Sequence, residues 1–134
     1  MTDPFIGMDA GFEDARRQLQ EIRSQAQNNK LRADALADDA DSITAEARSA
    51  HGEVTVRAGV GGRVRLISFG VEAERLPLDA LGHLTTQTVA EAQHSAMVRL
   101  ADRGAELFGA ESDIALSLRR DADRGYPRSG TSFS

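Results

Sequence analysis

Between Gly11 and Gly52 the chain holds no proline and no other glycine. Through this stretch Phe12, Ala15, Leu19, Ile22, Ala26, Asn29, Ala33, Leu36 and Ala40 recur at alternating steps of three and four residues. That is the period of an apolar seam along an α-helix, with one polar intruder, Asn29. The pattern predicts a helix over residues 9–41, on the order of 50 Å long at about 1.5 Å per residue. A chain of 134 residues reads as one domain with a modest core. With aromatics at 4% and no Trp, that core must be built from Ala, Leu, Val and Ile. The helix outreaches such a core, so it must pack on another long helix or stand in solvent.

At Ser42 the period changes. Ser42-Ile43-Thr44-Ala45-Glu46-Ala47-Arg48 alternates, as does Glu53-Val54-Thr55-Val56-Arg57. The turn Gly59-Val60-Gly61-Gly62 leads to Arg63-Val64-Arg65-Leu66-Ile67-Ser68-Phe69. Three short strands with short connections predict an antiparallel meander. Val64 and Leu66 point one way along this last run, Ile67 and Phe69 the other. Either a bulge switches faces or both faces are covered. Pro77 ends the strand region, a second helix is predicted over 78–108, and Gly109 suits its C-terminal cap. The fold class is therefore α+β: long N-terminal helix, three-stranded antiparallel meander, second long helix. Residues 1–8 read as a flexible head, 9–109 as the folded domain, and 110–134 as a tail at least partly disordered. Within that tail 113–120 fits helix and strand equally, and from Arg124 onward the Gly-, Ser- and Pro-containing end has little to bury. Removal of 119–134 is expected to leave stability unchanged.

The N-terminus lacks the basic start and apolar run of a signal peptide, and no apolar stretch is long enough for a bilayer. Absence of Cys excludes a disulfide scaffold, a thiolate metal site and a cysteine nucleophile. His83 and His94 lie eleven residues apart on one predicted helix, roughly 16 Å, too far to share a metal. His51 falls in a turn. The Gly59–Gly62 run lacks phosphate-loop spacing and leads into a strand. Asp34, Asp38, Asp39 and Asp41 lack the loop geometry of a calcium site. No catalytic constellation, metal site or cofactor is expected.

The formal net charge of −5 disfavours nucleic acid when taken as a mean. Its distribution does not. From Arg16 to Arg32 the cations Arg16, Arg17, Arg23, Lys30 and Arg32 face only Glu21, a local balance of +4. Arg16, Arg23 and Lys30, seven residues apart, form one stripe beside the apolar seam. Such a row suits phosphate contacts, and equally suits ion pairing across a helix–helix interface. Arg57, Arg63 and Arg65 form a second basic group around the hairpin.

The order of elements, with Gly52-Glu53-Val54-Thr55-Val56-Arg57, Gly62-Arg63-Val64-Arg65-Leu66-Ile67-Ser68-Phe69, the Leu-rich helix start at 76–84 and the Ala-rich helix around Val89, Ala92 and Ala96, resembles the YbaB/EbfC family of bacterial nucleoid-associated proteins. The family's acidic–Pro step after the last strand is replaced here by Gly70-Val71-Glu72, with Pro77 displaced. The resemblance implies a homodimer formed through the sheets with helices projecting like tweezers, and a cytoplasmic, nucleoid-bound protein. Its partner is double-stranded DNA, bound with little sequence preference in a structural or regulatory role. Val54, Val56, Ile67 and Phe69 are the candidate dimer contacts. The Ala- and Arg-rich composition with a single Lys fits an actinobacterial source, and relatives of the EspL type suggest the alternative, a protein-interaction adaptor tied to specialised secretion. Neither reading is enzymatic or involves a membrane.

Overall fold

The computed structural model describes residues 4–125, with side chains over 11–124. The chain divides into two units, Met1–Ala35 and Leu36–Ser134. The described part of the first is a single helical run, the greater part of α1 (Pro4–Ser42). The helix starts at Pro4 rather than at residue 9, so residues 4–8 are helical where a flexible head was expected; residues 1–3 lie outside the described part. Proline suits a first helical turn because the N–H it lacks would have no partner there. Every described side chain from 11 to 34 is exposed, including Phe12 (65%), Leu19 (57%) and Ile22 (60%) of the seam.

The second unit begins with the last turns of α1. It continues through β1 (Thr44–Arg48), β2 (Val54–Gly59), β3 (Val64–Phe69), a 3-10 segment (Val71–Arg75), α2 (Leu78–Phe108) and α3 (Asp113–Gly125). The strands form an antiparallel sheet in the order β1-β2-β3. Ala45 lies opposite Ala58, and Ala47 opposite Val56. These small residues and Val54 form the sheet face on which α2 packs, with Ala92 at the centre and Leu81, Leu84 and Val89 around it. Alanine at the contact brings helix and sheet close, which is how a chain poor in aromatics closes its core. Thr88, buried in α2, donates its hydroxyl to the Leu84 carbonyl at 2.7 Å and so carries no unmet polar group into that core.

The face problem in β3 is solved by a bulge. Arg57 pairs with Leu66 but Ala58 pairs with Val64, leaving Arg65 as the extra residue. Val64 thereby joins Ile67 and Phe69 on the α2 side, and Leu66 stays on the other. The hairpin closes with the Gly59 N–H donating to the Arg63 carbonyl at 2.7 Å. Gly61 and Gly62 both sit at φ near +80° (80° and 79°), a conformation that a β-carbon would strain.

In the β1–β2 turn the Glu53 carboxylate accepts from the Ser49 hydroxyl (3.1 Å) and the His51 N–H (2.9 Å). The Ser49 hydroxyl in turn accepts from the Val54 N–H at 2.9 Å. The N–H of its own residue, then the Ser49 hydroxyl and the His51 N–H, hold the Glu53 carboxyl below the usual glutamate range, against the opposing effect of burial. A lowered folded-state value means that stability is present above the ordinary glutamate range and is lost as pH falls through the lowered one. Glu53→Gln is thus expected to lower the melting temperature at neutral pH, with the gap to wild type closing in acid. Thermal melts from pH 7 to pH 3 check this, and a gap that stays constant across the range rules it out.

α3 resolves the stretch that sequence left between helix and strand. The Ser112 hydroxyl accepts the Ala115 N–H at 3.3 Å and starts the helix. Ile114, Leu118 and Ala122, four residues apart, turn toward a second cluster built on Leu36, Met97 and Leu100. Ala122 is wholly buried, and its carbonyl lies 3.1 Å from His94 Nδ1. Residues 119–125 are therefore helical, with Ala122 packed in the core, where a tail at least partly disordered was expected. The part of the tail from 126 onward lies outside the described residues.

Candidate nucleic-acid interface

Two basic groups emerge, one in each unit. On α1, Arg16, Arg23 and Lys30 are separated by two helical turns each, about 10 Å along the axis. With Arg17 and Arg32 they are all exposed. Arg17 pairs with Asp14 at 2.8 Å, so its charge is partly met. Among the described residues the other four have no ion-pair partner. A helix is a rigid ruler: the seven-residue spacing becomes a straight row only because α1 is unbroken.

Around the hairpin, Arg57, Arg63 and Arg65 are exposed. Arg57 stands on the sheet face away from α2, with Glu46 as its cross-strand neighbour. The bulge turns Arg65 toward the end of α1, where its guanidinium donates to the Asp41 carbonyl at 3.3 Å. Arg63 and Arg65 both flank Gly59. Arg48 was not singled out in the sequence. It shares the outer sheet face with Arg57, as the alternation Ala45, Glu46, Ala47, Arg48 would have indicated.

The sheet edge carries a different surface. Val54 and Val56, expected at a pairing surface, are completely covered inside the protomer by α2 and offer nothing to a partner. Ile67 and Phe69 share their sheet face, yet remain 38% and 56% exposed, and Val64 and Leu66 are also exposed. The physical reason is width. A helix about 10 Å across spans two strands spaced about 4.8 Å apart, so α2 covers β1 and β2 and leaves β3 bare.

A cleft of about 420 Å³ lies among Asp39, Ser42, Ile43, Arg99, Asp102, Arg103 and Glu106. Its arginines are committed internally. Arg103 bonds Asp39 (2.5 Å) and Glu106 (2.8 Å), which hold its guanidinium more firmly protonated than usual, and Arg99 donates to the Thr44 carbonyl. The cleft presents no free cation to a phosphate. Among the described residues no group of three or more His, Cys, Asp and Glu is arranged to hold a metal, and no helix is long and apolar enough to cross a membrane.

Compared with known families, residues 11–111 match the YbaB/EbfC DNA-binding family. No curated protein and no solved structure gives a match.

Proposed function

The chain belongs to the YbaB/EbfC DNA-binding family, and from that premise we propose that it acts on the nucleoid, in the cytoplasm, as a homodimer binding duplex DNA with little sequence preference. The observation that carries this reading is the straight row of cations on α1, Arg16, Arg23 and Lys30, with Arg32 beside it, none of them ion-paired among the described residues. Phosphates are evenly spaced whatever the base sequence, so a row of point charges on a rigid helix reads backbone and not bases. Arg57, Arg63 and Arg65 supply a second set of contacts, and the acidic remainder keeps the rest of the molecule off the duplex. The role is structural or regulatory rather than catalytic.

The dimer forms through β3, whose outer edge and apolar side chains find no cover among the described residues of the protomer. Strand-to-strand pairing satisfies that edge's backbone groups and buries Ile67 and Phe69 together.

The test is a salt titration of binding to unrelated duplexes. Binding should weaken linearly in log salt. Arg16→Ala, Arg23→Ala and Lys30→Ala together should flatten that slope by about three units per subunit, near 0.9 for each phosphate no longer neutralised. Undetectable duplex binding at low salt, or strong preference for one sequence, counts against this reading.

A further inference from the structure

The seam of α1 is not accounted for by DNA. Phosphates need cations, not a stripe of Phe12, Leu19 and Ile22 left more than half exposed. Farther along the same stripe, in the second unit, Leu36 is buried and Ala40 packs beside it. A stripe of this kind on a helix is ordinarily covered.

The charges beside the seam are sorted. In heptad terms Phe12, Leu19, Ala26 and Ala33 alternate with Ala15, Ile22 and Asn29 at the seam. One flank is then Arg16, Arg23 and Lys30, and the other is Gln18, Gln25 and Arg32. No carboxylate stands on either flank. Glu13, Asp14 and Glu21 all fall on the outer face. The four flanking cations have no ion-pair partner among the described residues. Flanks of this kind choose the partner in helix–helix pairing.

We infer that residues 12–33 of α1 dock an amphipathic helix of another protein, one with an apolar seam and acidic flanks. A second copy of α1 fits less well. In antiparallel register it sets Arg and Lys against Arg and Lys. In parallel register it sets Arg23 and Lys30 against Gln18 and Gln25, gaining no ion pair while crowding like charges. An acidic helix meets all four cations. It also occupies the charges assigned to phosphate contact, so partner helix and duplex exclude one another on α1. The inference goes beyond the nucleic-acid reading and stands on the seam independently of it.

The experiment uses the full chain and a labelled synthetic peptide of about four heptads with Leu at the seam positions and Glu on both flanks. A matched peptide with Lys on both flanks is the control. Anisotropy without DNA should show binding of the acidic peptide only, with helicity rising on mixing and affinity falling at high salt. Ile22→Asp and Leu19→Asp, at exposed positions that leave the fold intact by circular dichroism, should each weaken it roughly tenfold or more. Arg17→Ala, outside the flank, should leave it unchanged. Where the free protein binds duplex, duplex should displace the bound peptide. Equal binding of both peptides, or none of the acidic one, overturns the inference. So does efficient interchain disulfide formation by Ile22→Cys without peptide, which the cysteine-free chain makes unambiguous and which would assign the seam to a second copy. Duplex binding by the free protein is a separate titration, so its failure touches only the nucleic-acid reading.

Discussion

Phe69→Glu is expected to yield a folded monomer in place of the proposed dimer. Phe69 is largely open to solvent within the protomer, and no described element of the same chain packs over it, so a charge there costs the isolated subunit little. In the paired state the same carboxylate would be desolvated on the apolar face at the end of β3 with no cation assigned to it, and burial of an unpaired charge is costly enough to prevent assembly. Light scattering at micromolar concentration should report half the mass, with unchanged far-ultraviolet circular dichroism. DNA affinity should fall further than the removal of any single cation explains. Two basic surfaces joined in a dimer act with an effective concentration that typically raises avidity by about 10²–10⁴-fold, and the monomer forfeits it. Val56→Glu makes the contrast. Val56 is sealed under α2, so that substitution should unfold the subunit instead of separating it. A Phe69→Glu protein that remains dimeric would move the interface elsewhere.

The same pair of strands shows where the sequence is legible and where it is not. Alternation placed Val54, Val56, Ile67 and Phe69 as apolar strand positions, and the register puts all four on one face. What alternation cannot carry is the width of the covering layer. The burial of Val54 and the exposure of Phe69, its direct cross-strand neighbour, depend on which two strands a single helix lies across. The bulge at Arg65 was visible as a conflict between Leu66 and Ile67, two adjacent apolar residues where one face has room for one. The α1 row was legible because helical spacing is rigid. Whether its cations were already paired was not, since pairing depends on neighbours distant in sequence. Arg103 illustrates this, drawn to Asp39 from 64 residues away. The resemblance to the family, carried by the strand–turn–strand run and the helix after it, agrees with the match over residues 11–111.

Truncation before Arg119 should lower the melting temperature by several degrees. Composition points the opposite way, since Arg119, Arg120, Asp121, Asp123 and Arg124 look too polar to bury anything. A closely packed helix, however, needs few apolar residues. Ile114, Leu118 and Ala122 recur every four residues and suffice to seat α3 over Met97 and Leu100, whereas Leu116 is exposed. Gly104 marks how close the approach is: a β-carbon built there would lie 2.8 Å from Leu118 Cδ1. Loss of 119–134 removes Ala122 and the Arg119–Asp102 pair at 3.6 Å, and strips cover from Leu100 and Leu36. The exposed ion pair contributes little. The uncovered apolar area is the larger effect, about 1–2 kcal/mol at roughly 25 cal/mol per Å². For a domain of this size each kcal/mol corresponds to about 3–6 °C. Ala122→Glu in the full-length chain separates this from any effect of shortening, because it keeps the length and places an unpaired charge in the same site. Both variants should melt lower than the parent, the substitution by as much as the truncation or more. If the truncated chain melts with the parent while Ala122→Glu does not, α3 beyond Arg119 is held in place by the core without supporting it.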